Sequence, residues 1–173
     1  MIRRWLAGVL VAAVVGTLGA VVPSSSASAE TRATDSYRIY NSYSGLCVEV
    51  PGASTQVGVT WKTNYCNFQT SNQYFFLYNT SVQDVYNIGP EYDMTLCADT
   101  YPAVYTFDGQ VKQYTCDSTG SQKWLLVVVG TNLVKFQSIE SGYCLRSYTL
   151  SAGSNMVQGY CNDHNAIWSL YTY

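Results

Sequence analysis

Histidine is almost missing from this chain: of 173 residues, His164 is the single one. That removes a multi-histidine metal centre and most histidine-based acid–base chemistry. Charge is scarce as well, at 12%, with nine Lys and Arg against eleven Asp and Glu. No basic excess exists to neutralise phosphates, which argues against a nucleic-acid partner. No glycine-rich phosphate loop or cofactor fingerprint occurs, so no cofactor is expected. Beyond the N-terminal segment nothing sustains a helical hydrophobic period, and Pro51, Pro90 and Pro102 fall where loops are expected. What the chain does hold is aromatic: sixteen Tyr, five Phe and four Trp. Few charges and many β-favouring aromatics indicate a compact β-rich protein with a hydrogen-bonding surface.

Residues 1–29 read as a signal peptide. Arg3 and Arg4 supply the positive start, Leu6 to Val22 the apolar run, and Ala27-Ser28-Ala29 the small-residue cleavage site. An uncleaved anchor is the alternative, with an apolar run at the short end for a membrane span. Cleavage removes two arginines and no acid, leaving seven basic against eleven acidic side chains, and no membrane insertion is then expected. Residues 30–36 form a short polar lead. The remainder fits one domain and leaves little room for a second.

All six cysteines survive cleavage: Cys47, Cys66, Cys97, Cys116, Cys144 and Cys161. An even count in a secreted chain reads as a disulfide framework. The spacings within successive pairs are 19, 19 and 17, and the pairs recur after 50 and 47 residues. Such a period means three copies of one supersecondary unit. The flanking text agrees: GVTWKTNYC, DGQVKQYTC and GSNMVQGYC precede the second cysteines, and NQYFFLY, SQKWLLV and NAIWSLY close the copies. Six cysteines allow fifteen connectivities, and pairing within each copy (47–66, 97–116, 144–161) is the one that preserves the period. Each bridge closes a loop of about 20 residues, worth roughly 3 kcal/mol. Cys161 and His164 have a metal-like spacing but no further ligands, so Cys161 is read as a disulfide partner. Short strands are expected at YRIYN, VYNIG, WLLVVV and VKFQSI, with turns at Ser44-Gly45, Asp108-Gly109, Gly130-Thr131-Asn132 and Ser141-Gly142.

At its closing motifs the chain resembles the ricin B-type lectin family, which carries Gln-x-Trp near the end of each of three repeats. The matches are Gln73-Tyr74-Phe75, Gln122-Lys123-Trp124 and Ala166-Ile167-Trp168, of which only the second is complete. The likeness spans residues 37–173. It implies an all-β fold, the β-trefoil, whose six-stranded barrel is closed by three hairpins with pseudo-threefold symmetry. The repeats would run at about 37–83, 84–132 and 133–173. Phe75, Trp124 and Trp168 would then fill one layer of the core and touch no sugar.

The resemblance also implies where each copy would hold a sugar. The acceptor is an Asp two residues after the first cysteine, and the plate an aromatic two before the second. A polar donor stands two before the plate, and a further polar residue precedes the Gln of Gln-x-Trp. Copy two supplies Asp99, Tyr114, Lys112 and Ser121 at these positions, with Gln122 placed to orient Asp99. An ionised acceptor makes the stronger class of hydrogen bond, and Tyr offers a ring with a polar rim. Copy one is mixed: Glu49 replaces the Asp and Asn64 the plate, Lys62 and Asn72 are present, and Trp61 supplies a ring only if the loop differs. Copy three has Arg146, Gly159 and Val157 there, so no typical site is expected, although Arg146 near Tyr148 and Tyr160 could meet an acidic ligand.

The leading expectation is therefore a secreted, non-catalytic carbohydrate-binding protein with its best site in the second repeat. A multivalent polysaccharide would offset the weakness of one shallow site. The alternative is a β-trefoil interaction or inhibitor-type protein with degenerate sugar sites, since Tyr favours protein contacts. An enzyme is a third reading, drawing on Glu91, Asp93 or Asp117 opposite Asp99, but no defined carboxylate separation or nucleophile–base pair is visible.

Overall fold

A computed structural model describes residues 35–117 and 119–172. The segment read as a signal peptide lies outside them, as does most of the polar lead. Among the described residues there are twelve strands and no α-helix. The first repeat contributes β1 (Ser36–Asn41), β2 (Leu46–Glu49), β3 (Lys62–Tyr65) and β4 (Phe75–Asn79). The second contributes β5 (Val85–Pro90), β6 (Leu96–Asp99), β7 (Lys112–Thr115) and β8 (Trp124–Gly130). The third contributes β9 (Leu133–Ser138), β10 (Cys144–Ser147), β11 (Met156–Gly159) and β12 (Trp168–Thr172).

The outer strands of each repeat close a barrel. β1 pairs with β4, β4 with β5, β5 with β8, β8 with β9, β9 with β12, and β12 returns to β1, all antiparallel. A closed ring has no edge left to template aggregation. The inner strands form the hairpins β2–β3, β6–β7 and β10–β11, which cap one end. Their three-way junction is a cycle of backbone bonds: Trp61 N–H to Val111 O at 3.1 Å, Val111 N–H to Met156 O at 2.9 Å, and Met156 N–H to Trp61 O at 2.7 Å. Each hairpin is stapled by its own disulfide, 47–66, 97–116 and 144–161. This is the β-trefoil, with the pairing that the repeat required.

Phe75, Trp124 and Trp168 are fully buried. The two indoles also settle their N–H groups, Trp124 on Ala98 O at 3.2 Å and Trp168 on Leu145 O at 2.9 Å. Two expectations need correction. Trp61 is no sugar plate: it is fully buried, 4.8 Å from the Phe75 ring, with its indole N–H on Gln113 Oε1 at 3.2 Å. The positions equivalent to it hold the smaller Val111 and Met156. The first repeat thus has Phe where the others have Trp, and its extra indole fills the core from the hairpin instead. Pro90 is not in a loop but ends β5 opposite Phe75, a place where a missing N–H costs least.

Candidate functional site

The hairpin tips do more than close the barrel, because each leans on the next repeat. Gln113 Nε2 donates to Ser54 O and Gln56 O, both at 2.7 Å, and so ties the tip of hairpin one to the second repeat. That tip carries Val57 to one wall of a cleft of about 440 Å³, which Asp99, Tyr101, Tyr114, Asp117 and Ser121 also line. The floor is Asp99, at the end of β6 and only 4% exposed. Its Oδ1 accepts the Tyr101 backbone N–H at 2.7 Å, and its Oδ2 accepts Gln122 Nε2 at 3.0 Å.

Gln122 sits on a single 3-10 turn just before β8 and is fully buried. Besides Asp99 it donates to Thr115 O at 2.9 Å, and its Oε1 accepts the Asp117 N–H at 2.8 Å. These bonds fix both the rotamer of the carboxylate and the loop behind it. Each oxygen of Asp99 retains acceptor capacity beyond the bond it makes internally. Tyr114, on β7, stands half-buried beside it, and Tyr101 packs edge-on against that ring at 5.8 Å and 83°. Ser121 is buried, with its hydroxyl 3.1 Å from Thr119 Oγ1. A fixed acceptor beside a ring is what a sugar requires: adjacent hydroxyls donate while the CH-rich face packs on the aromatic.

Of the five second-repeat candidates, the structure brings Asp99, Tyr114 and Ser121 into one cleft, with Gln122 behind. Lys112 is opposite Asp99 in the strand register, but it is not among the residues that line the cleft. Sequence reasoning did not assign Tyr101 or Val57. Tyr101 was within reach of a local argument, two residues after Asp99; Val57 comes from another repeat and leaves no local signal.

In the first repeat the candidates bind each other. Glu49 Oε1 accepts Asn64 Nδ2 at 3.0 Å, and its Oε2 accepts Gln73 Nε2 at 3.2 Å. Asn72 donates to Val50 O at 3.1 Å, and Lys62 is opposite Glu49 in the register. No ring takes the plate position. In the third repeat the polarity is inverted: buried Arg146 pairs with Asp108, on the tip of hairpin two, and lies 3.8 Å from Asp163. Gly159 holds the plate position because any Cβ there would meet the Arg146 side chain. Phe107, beside Asp108, packs on Tyr160 at 4.7 Å and sits 5.5 Å from the Arg146 guanidinium.

A closed barrel with three capping hairpins defines the class: a β-trefoil. The model of the ricin-type beta-trefoil lectin domain matches residues 35–166, and the chain belongs to that family. No curated protein matches the chain. Among solved structures it is similar to the designed threefold-symmetric protein ThreeFoil, at 25% identity and TM-score 0.72, covering 78% of this chain and 96% of that one. It is also similar to an exo-beta-1,3-galactanase from Clostridium thermocellum, at 19% identity and TM-score 0.75, covering 81% of this chain but only 30% of the galactanase. The lectin of Polyporus squamosus, bound to a human-type influenza-binding epitope, aligns at 13% identity and TM-score 0.64, over 79% of this chain and 48% of that one. These last two show the fold alone.

Proposed function

We propose that this is a secreted, non-catalytic carbohydrate-binding protein whose family-type sugar site is the second-repeat cleft. The observation that carries the proposal is the Asp99 carboxylate, held by the Tyr101 N–H and Gln122 beside the Tyr114 ring. Asp99 accepts two sugar hydroxyls, Tyr114 and Tyr101 take the CH face, and Gln122 is a positioning residue that does not touch the ligand. Ser121 is the secondary polar contact, and Lys112, opposite Asp99 in the strand register, supplies positive charge from outside the cleft lining. Secretion is supported by the signal-like N-terminus and by three disulfides, which persist in oxidising compartments. The test is a glycan array on the mature protein, followed by calorimetry on the best neutral hit. Asp99→Ala should remove binding while Glu49→Ala, whose carboxylate is already engaged by Asn64 and Gln73, should leave it.

A protein-interaction role is the second reading. The observation favouring it is the partly exposed cluster of Phe107, Tyr143 and Tyr160, where the third repeat has lost its acceptor and plate. An array with no hits would favour it.

A further inference from the structure

A second cleft, of about 510 Å³, lies at the base of the first hairpin beside Gly45 and Cys66, against the barrel strands β1 and β12. Tyr40, Tyr171, Phe68 and Tyr74 line it together with Arg38. Arg38 is 3% exposed, and its guanidinium is sandwiched between two rings, 4.0 Å from the centre of Phe68 and 4.5 Å from that of Tyr74. Its Nη2 donates to Asn67 O at 3.0 Å. Among the described residues its Nε and Nη1 have no acceptor, and no carboxylate lies within ion-pair distance of it. A buried cation left with unmade hydrogen bonds is costly, and proteins retain few.

The contrast within the molecule is sharp. The other buried arginine, Arg146, is neutralised by Asp108 and Asp163. Nor does the trefoil itself demand a guanidinium at this place. The residue preceding the equivalent core positions Ile39, Ile88 and Phe136 is Arg38 in the first repeat, but Asn87 and Lys135 in the others. Asn87 is satisfied by Gln122 O at 3.1 Å. The orphaned guanidinium is therefore particular to the first repeat, and it faces a cleft of the size that small ligands fill.

We propose that this cleft binds a carboxylated saccharide of the uronic-acid type, with the carboxylate on Arg38 and the sugar ring against the surrounding aromatics. Guanidinium and carboxylate match in charge and planar geometry. A single negative charge balances the one cation lining the cleft, whereas a phosphate dianion would leave a buried excess. Tyr40 and Tyr171, packed edge-on at 5.6 Å, offer apolar ring surface for the CH face. Phe68 covers the guanidinium but is itself 73% exposed, so a change of its rotamer uncovers the site. This site is independent of Asp99, and either can fail without the other.

The test is calorimetric titration of the mature protein with glucuronic acid, glucose and sodium acetate, with the Arg38 Nε–H followed by NMR. Glucuronic acid should bind at least tenfold more tightly than glucose or acetate and shift the Arg38 Nε–H signal. Arg38→Gln should lose at least tenfold in affinity, Arg38→Lys should lose less, and Lys135→Gln, at the equivalent place in the third repeat, should match the native protein. Thermal melts of each variant separate lost binding from lost folding; if Arg38→Gln does not fold, Arg38→Lys and the NMR shift decide. The proposal is overturned if no uronic acid binds, if acetate or glucose shifts the Arg38 Nε–H signal as strongly as glucuronic acid does, if a folded Arg38→Gln binds with native affinity, or if Asp99→Ala is the change that abolishes binding.

Discussion

Gln122 donates to the Asp99 carboxylate at 3.0 Å, and Gln73 makes the same bond to Glu49 at 3.2 Å. Both glutamines also donate to a strand carbonyl, Thr115 O and Tyr65 O, at 2.9 Å, and accept the N–H of Asp117 or Asn67 at 2.8 Å. The Gln of Gln-x-Trp is thus a clamp between the acceptor and the loop after the second cysteine. In the third repeat Ala166 makes none of these side-chain bonds, and the acceptor it would have clamped is Arg146.

Asp99→Ala should cost the neutral-sugar site on the order of 1.5–3 kcal/mol, a tenfold loss or more by calorimetry. Stability should fall as well, by about 1–3 kcal/mol in urea titrations, because the Tyr101 N–H loses its acceptor in a partly buried site. Gln122→Ala should weaken sugar binding too, without any ligand contact being removed. Unchanged affinity in both variants would falsify the assignment of the cleft.

Trp61 separates the core role from a sugar-plate role. Trp61→Ala empties a fully buried site against Phe75 and orphans Gln113 Oε1, so it should destabilise the fold by about 3–5 kcal/mol. A melting temperature equal to that of the native protein, accompanied by lost sugar binding, would return Trp61 to the surface.

Gly159→Ala should destabilise by about 1–3 kcal/mol, since the added methyl meets the side chain of a buried, ion-paired arginine. In a double-mutant cycle with Arg146→Ala the two costs should be less than additive, because the second change removes the collision. Strict additivity would show that Gly159 does not exist to make room for Arg146.

Tyr92 carries an alkaline prediction. Its hydroxyl donates to Ser54 O at 2.9 Å, and burial, followed by the Asp93 carboxylate, pushes its pKa up to about 12 from the ordinary 10.0. A raised folded-state pKa gives stability that is complete below the unfolded value and lost as pH rises through the folded one. Urea midpoints should therefore decline between pH 10 and 12, and less so in Tyr92→Phe. Equal declines in both proteins would place the alkaline sensitivity elsewhere.

The threefold plan was legible before any coordinates, because cysteine spacing is a covalent requirement. A bridge of 17 or 19 residues staples one hairpin, and three such bridges at a regular period leave little freedom in the architecture. Asp99, Tyr114 and Gln122 were legible for a related reason: their offsets from Cys97, Cys116 and Trp124 are local, so strand register alone carries them to one place.

The sequence by itself determined the repeat, the disulfides and the local members of each hairpin, all set by short-range spacing along the chain. Only the tertiary structure decided what packs across repeats. Val57 reaches the second-repeat cleft, Trp61 turns inward against Phe75, and Asp108 neutralises Arg146 from the neighbouring hairpin. The stacking of Phe68 and Tyr74 on Arg38 likewise depends on how the loop after Cys66 folds back over β1. Such contacts depend on the volume and charge that three hairpins leave for one another around a closed barrel, and no spacing within a single repeat encodes that remainder.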